Sequence, residues 1–309
     1  MGHYIHDNKV EELEVIANKA RELLIEELMA AGSGHTGGPL GMADIFTAMY
    51  FHVLNHDPKN PKWEERDWLI LSNGHITPIR YVSMAQAGYF PVEELKTLRK
   101  FGTRLQGHPE RERLPGVETT SGPLGSGLGQ ACGVAYAMRM PAIGGSASGG
   151  DGHRTRQRVY CIMSDGEHDA GNTWESIMFA GKYKLSNLTG IIDRNNIQID
   201  GMTEDIMPLE SLRAKYEAFN WHVLEVDGHN IERFVDAIEE AKAIFEKPTV
   251  IIAHTIPGKG IPEIEFDYRW HGNPPGGGPT DVFKDKATQG KEMLAKLRTL
   301  DGKIKSEHE

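Results

Sequence analysis

The apolar run Arg158-Val159-Tyr160-Cys161-Ile162-Met163 stops in Ser164-Asp165-Gly166-Glu167-His168-Asp169, and a second run, Gly190-Ile191-Ile192-Asp193, stops in Arg194-Asn195-Asn196-Ile197. A carboxylate and an amide at two strand ends are oxygen donors. They suit a hard cation, because Mg²⁺ bonds oxygen at about 2.1 Å in an octahedron and keeps positions open for phosphate oxygens. The 28 residues between Gly166 and Asn195 are enough for one helix and one strand. A right-handed crossover would bring Asp165 and Asn195 to the same sheet edge, where parallel sheets collect ligands, on strands about 4.8 Å apart. The alternative is local: Asp165 caps the following helix and Asn195-Asn196 forms a turn.

Two further features bear on that choice. Gly122-Pro123-Leu124-Gly125-Ser126-Gly127-Leu128-Gly129 opens an apolar helix expected over 128–139. Such a loop brings backbone N–H groups to a diphosphate at a helix N-terminus, although alone it is a weak signal. Four histidines, His35, His75, His108 and His271, each sit beside a glycine in a loop after a different element. Singly each reads as a surface or hydrogen-bonded packing residue; together they point to a site, because loops carry function. None has H-E-x-x-H or C-x-x-C spacing, which disfavours a zinc cluster. Neutral imidazoles could instead move protons and bind hydroxyls near neutral pH.

The elements that must position these residues are legible as periodicity. Val10, Leu13, Ile16, Ala17, Ala20, Leu23, Leu24 and Leu28 recur at helical spacing and predict a helix over 9–30. A second helix is expected at 41–54. Strands are expected at 67–72, 158–163, 188–193, 222–226 and 249–254, each short, apolar and closed by a turn residue. Helices at 172–184 and 230–246 alternate with them, which predicts an α/β fold: a doubly wound parallel sheet with helices on both faces. Residues 143–153 read as a glycine- and serine-rich excursion, and a charged helix is expected over 281–300.

Bulk composition narrows the partners. A formal charge of -10, from 34 basic and 44 acidic residues, opposes binding to nucleic acid and to anionic membrane. No apolar run approaches the ~20 residues of a membrane span. Cys132 and Cys161, the two cysteines, read as core residues and fit a reducing, cytoplasmic setting. Lys259 reads as an exposed loop lysine, and Trp270, which precedes His271, as a border of the site.

Taken together, these stretches resemble transketolase over residues 10 to 275, specifically its N-terminal, diphosphate-binding half. Ser164-Asp165-Gly166, followed one helix and one strand later by Asn195-Asn196, is similar to the thiamine diphosphate signature of that family. The resemblance implies a thiamine diphosphate-binding (PP) domain over 1–280, with 281–309 as helix and tail. It implies Asp165, Asn195 and the backbone carbonyl of Ile197 as ligands of Mg²⁺ or Ca²⁺. His75, the backbone of Gly122, Pro123 and Leu124, Gly166, Asn195 and His271 would touch thiamine diphosphate. His35, His108 and His271 would be the catalytic, substrate-channel histidines. The implied reaction passes a two-carbon ketol unit from a ketose phosphate to an aldose phosphate, as in the pentose phosphate pathway, with the cofactor carrying the carbon chemistry.

The sequence departs from the family pattern at Ser164 (usually Gly), Ser126 (usually Gln), Thr36 (usually Pro) and Ala170 (usually Glu). The last removes a carboxylate that links cofactor sites, for which Asp169 or Glu167 would have to substitute. The family's pyrimidine-binding domain, which carries a further glutamate, should follow residue 280, where only about 30 polar residues stand. A separate C-terminal transketolase subunit is therefore expected to supply it, in an α2β2 assembly. Rival readings are the E1 component of a 2-oxo acid dehydrogenase, a deoxyxylulose phosphate synthase-like enzyme, and a non-catalytic thiamine diphosphate-binding subunit; the three channel histidines favour transketolase.

Overall fold

The computed structural model of the chain describes residues 4–140 and 157–297. Five short apolar strands, β1 (Trp68–Leu71), β2 (Val159–Ser164), β3 (Leu188–Arg194), β6 (His222–Asp227) and β7 (Thr249–His254), pair in parallel in the order β1-β2-β3-β7-β6. Each falls within a residue or two of its expected position. A small antiparallel hairpin, β4 (Ile197–Gln198) with β5 (Gly201–Met202), follows β3.

Alternate residues of a strand point to opposite faces, so a sheet buried on both sides needs two cores. Tyr160, Ile162, Ile191, Ile251 and Ala253 enter one core, while Val159, Cys161, Met163, Ile192 and Val250 enter the other. The first is covered by α1 (Asp7–Ala31), α2 (Gly37–Gly41), α3 (Ala43–Ala48), α4 (Thr77–Gln86), α9 (Ile231–Ala243) and α10 (Gln289–Lys296). The second is covered by α5 (Ser126–Ala137), α6 (Gly171–Tyr183) and α8 (Leu212–Ala218), and α7 (Thr203–Ile206) follows the hairpin. The doubly wound α/β arrangement is thus present, with both cysteines buried. Among the described residues no helix is long and apolar enough to cross a membrane.

Two expected helices differ. The segment 41–54 is broken into α2, α3 and a wider turn at Met49–Val53, and a Cβ at Gly41 would stand 2.8 Å from the Ile256 carbonyl oxygen, a contact that ties this corner to the loop after β7. The C-terminal helix starts at Gln289, not 281. The buried Gln289 amide donates to the carbonyls of Gly278, Pro279 and Phe283 and accepts from Gly276 N, so the preceding residues wrap as a loop around Trp270 instead of coiling. The excursion at 143–153 lies outside the described residues.

Candidate functional site

The register Ser164↔Asp193 sets Asp165 beside Arg194 as the ladder ends. Asp165 is 1% exposed. Its Oδ1 accepts from Gly166 N at 2.7 Å, and its Oδ2 accepts from Asn196 N at 2.8 Å and from Arg194 Nη1 at 3.1 Å. The two asparagines divide the work. Asn196 takes a left-handed conformation (φ 64), which Asn tolerates better than most residues, and this reversal aims its N–H back at Asp165. Asn195 keeps its side chain in the site, where Nδ2 donates to Asp193 Oδ2 at 2.9 Å and Oδ1 accepts from Ile197 N at 3.1 Å. Asp193 also accepts from Thr255 Oγ1, and burial pushes its carboxyl up to about 7.

The glycine loop is fastened from below by Glu167, which is buried. Its Oε1 accepts from Ser72 Oγ at 2.6 Å and Gly125 N at 3.3 Å, and its Oε2 accepts from Ser164 N at 2.9 Å. Ser72 Oγ in turn accepts from Gly127 N at 3.1 Å. One carboxylate therefore joins the ends of β1 and β2 to the start of α5. Gly127 has no room for a side chain, since a Cβ there would lie 2.5 Å from Ser72 Cα.

Three histidine rings converge above these strand ends, with centroids 4.9 Å apart for His35–His75, 5.1 Å for His75–His271 and 5.5 Å for His35–His271. Burial holds all three neutral: it lowers His35 to about 3, His271 to about 4, and His75 well below its usual value, with neighbouring imidazoles adding to the effect on His35 and His75. His108 is more exposed and is lowered by burial and then by Arg99. The loop bearing His35 is anchored by Thr36 Oγ1 donating to Asn273 O at 2.6 Å. Behind it, burial would raise the Asp44 carboxyl, but Arg21 and His229 outweigh this and hold it well below the usual carboxylate range. His229 Nε2 accepts from Ile256 N at 2.8 Å, so this buried cluster ties α1 and α3 to the loop after β7.

A cavity of about 420 Å³ lies among these groups, lined by His35, His75, His108, His271, Gly122, Leu124, Ser164, Asp165, Gly166, Asn195, Ile197 and the hairpin tip. The size is that of a small-molecule cofactor site. All the site residues expected from the sequence line it except Pro123, whose carbonyl instead accepts from Ser126 Oγ at 2.6 Å. Trp270 is fully buried against Phe283 and does not line it; Lys259 is buried, not exposed. Asp193, Ser72 and Arg194 complete the site without having been expected there. Only Asp193, the acid closing its strand, offers a signal in the sequence.

The donors fit a divalent cation with a diphosphate. Asp165, Asn195 and the Ile197 backbone supply oxygen only, the preference of Mg²⁺ and Ca²⁺. Among the described residues, the buried Nδ1 atoms of His35 and His271, both lining the cavity, have no hydrogen-bond partner, which a polar ligand would supply. The departures from the family pattern have local roles: Thr36 and Ser126 make the bonds just given, and Ser164 Oγ donates to Glu167 Oε2 at 3.3 Å. Both acids near Ala170 have partners within the chain. Glu167 is committed to the loop, and Asp169 accepts from Gln198 Nε2 at 3.0 Å at the surface.

Sequence and fold comparisons give the chain its family. The family described as transketolase, thiamine diphosphate binding domain, matches residues 13–295. The chain is 43% identical over 249 residues to the 6-deoxy-6-sulfo-D-fructose transketolase subunit of Clostridium sp. (strain MSTE9), covering 81% of this chain and 86% of that one. It is 35% identical over 289 residues to an apulose-4-phosphate transketolase subunit of Phocaeicola vulgatus, covering 94% and 97%. The structure superposes on Pichia stipitis transketolase, solved with sedoheptulose 7-phosphate, with a TM-score of 0.81 at 32% identity; this covers 95% of this chain but 43% of that one. The chain thus spans nearly all of two transketolase subunits but less than half of a single-chain transketolase, and it belongs to the transketolase thiamine diphosphate-binding domain family.

Proposed function

We propose that this chain is the cofactor-holding subunit of a two-chain transketolase that moves a two-carbon ketol unit between anionic sugars. The observation that carries the reading is the meeting of Asp165, Asn195 and Ile197 with the glycine loop and four histidines in one cavity. Asp165, Asn195 Oδ1 and the Ile197 carbonyl would hold Mg²⁺ or Ca²⁺. Gly122, Leu124, Gly166 and His75 would position the cofactor, and His271 would stand between cofactor and sugar. When bound, thiamine diphosphate supplies a nucleophilic carbon that adds to a ketone and holds the electron pair left by carbon–carbon cleavage. His35, His108 and His271, kept neutral, would accept and return protons at the sugar hydroxyls.

A separate pyrimidine-domain chain, in an α2β2 assembly, is supported by exposed apolar surface along α5 and α6 and at the cavity rim. The outer faces of α5 and α6 carry a cluster of aromatic rings, Tyr136, Phe179 and Tyr183, with centroids 4.6 to 6.0 Å apart, and Met178 is 55% exposed beside them. Leu124 and Ile199 stand exposed at the cavity rim. Exposed apolar surface of this kind marks a partner contact. The named subunit relatives act on a sulfosugar and a sugar phosphate, which supports an anionic ketose as donor.

The test is to purify this chain with and without its pyrimidine-domain partner chain, and to assay xylulose 5-phosphate and pyruvate as donors. Ketol transfer from the sugar by the pair, and none by this chain alone, is expected. Turnover of pyruvate alone would support the E1 reading instead, and turnover of sugar by the single chain would remove the two-chain requirement.

A further inference from the structure

Asp165 has fewer free lone pairs than a metal-binding carboxylate usually keeps. Two carboxylate oxygens offer about four acceptor positions. Gly166 N takes one on Oδ1, while Asn196 N and Arg194 Nη1 take both on Oδ2, at 2.8 and 3.1 Å. One position, on Oδ1, is left. The arginine responsible is 3% exposed and cannot swing away, because Glu204 and Glu210 hold its Nη2 from the far side at 2.6 and 2.9 Å.

We propose that Arg194 makes Asp165 a one-oxygen ligand and so biases the site toward Mg²⁺ over Ca²⁺. This rests on the metal site proposed above and deepens it. Mg²⁺ completes an octahedron with single oxygens, so a carboxylate confined to one oxygen costs it nothing. Ca²⁺ accepts six to eight oxygens and gains from a carboxylate that can bind through both. With Oδ2 saturated by a guanidinium and a backbone N–H, that second bond is closed to it. The guanidinium charge opposes both ions alike, but the lost second oxygen penalises Ca²⁺ alone. Arg194 is a positioning residue in this account: it acts on the ion through Asp165.

The experiment titrates Mg²⁺ and Ca²⁺ separately into the full chain with thiamine diphosphate present, following binding calorimetrically and by the change in tryptophan fluorescence, for the natural protein and Arg194→Met. Tighter binding of Mg²⁺ is expected for the natural protein. In R194M the ratio of the Ca²⁺ to the Mg²⁺ dissociation constant should fall at least tenfold. An equal change for both ions would overturn the inference while leaving the metal site intact, since charge alone would then account for the effect. If R194M does not fold, the double variant Glu204→Ala/Glu210→Ala, changed at exposed carboxylates, releases the guanidinium from behind. It should move the ratio the same way by a smaller factor, and an unchanged ratio there would also overturn the inference. Metal binding that survives Asp165→Ala would sink the site reading itself.

Discussion

The side-chain amide of Asn195 is oriented by Asp193, whose Oδ2 lies 2.9 Å from Asn195 Nδ2. Burial raises the Asp193 carboxyl to about 7; above that value it is ionised and accepts only, so it fixes which end of the amide is nitrogen and leaves Oδ1 as the end offered to a cation. Asp193→Asn could present either a donor or an acceptor and would let Asn195 flip. We expect D193N to fold normally and to bind Mg²⁺ with thiamine diphosphate roughly 10- to 100-fold more weakly, the range typical of residues that orient metal ligands. Unchanged affinity by calorimetry would show that Asn195 needs no such support.

Glu167 carries a structural load. Replacing it with Ala strips acceptors from Ser72 Oγ, Gly125 N and Ser164 N. A buried donor left unpaired costs about 1–3 kcal/mol, so Glu167→Ala should lose about 3–5 kcal/mol by urea unfolding. Glu167→Gln, which keeps the acceptor oxygen on one side, should lose less. Equal losses would mean that packing around residue 167, not its hydrogen bonds, sets the cost.

Acid should be felt at the histidine cluster in a definable way. His271 titrates at about 4 in the folded chain, against an ordinary value of 6.5, because burial disfavours its cation. Its folded value is depressed, so between pH 6.5 and 4 the unfolded chain binds more protons there, and the stabilising contribution present above 6.5 is lost as pH falls. Asp193 and Glu118, both raised to about 7 by burial, titrate in the same window with the opposite sign. The informative quantity is therefore the difference between the natural protein and His271→Gln. That variant should gain relative stability on acidification by up to about 1.4 kcal/mol per pH unit. A difference independent of pH would contradict a buried, neutral His271.

How much of this is legible in the sequence depends on whether a local pattern carries the information. The five strands are readable because apolar β-branched runs end in turn residues, and Asp165 and Asn195 are readable because they follow directly on two of those runs. The helix expected over 41–54 forms over 43–53, but a turn at Met42 separates it from α2 and its last turn, Met49–Val53, widens, neither of which a continuous apolar pattern shows. Lys259, flanked by glycines, reads as a surface residue, yet the loop after β7 folds under α2, where Gly258 N meets Gly37 O at 2.9 Å. Arg194 gives no signal at all. Its meaning comes from the carboxylates of Asp165, Glu204 and Glu210, the nearest of which is 10 positions away in the chain.

Partner docking can be separated from folding at the aromatic ridge. Phe179 is 37% exposed and touches Tyr136 and Tyr183 along α6, so a charge there meets solvent in the free chain but would be buried against a second one. Phe179→Asp should leave the isolated chain folded and lower its stability by only about 1–3 kcal/mol, the worth of two aromatic contacts at about 0.5–1.5 kcal/mol each. In an assembly it would bury an unpaired carboxylate at a contact, where single truncations already cost about 2 kcal/mol or more at hot spots, and so weaken association at least about thirtyfold. Sedimentation of the mixed chains measures the second quantity and thermal unfolding the first. Undisturbed association of F179D would move the partner interface off this face of α5 and α6.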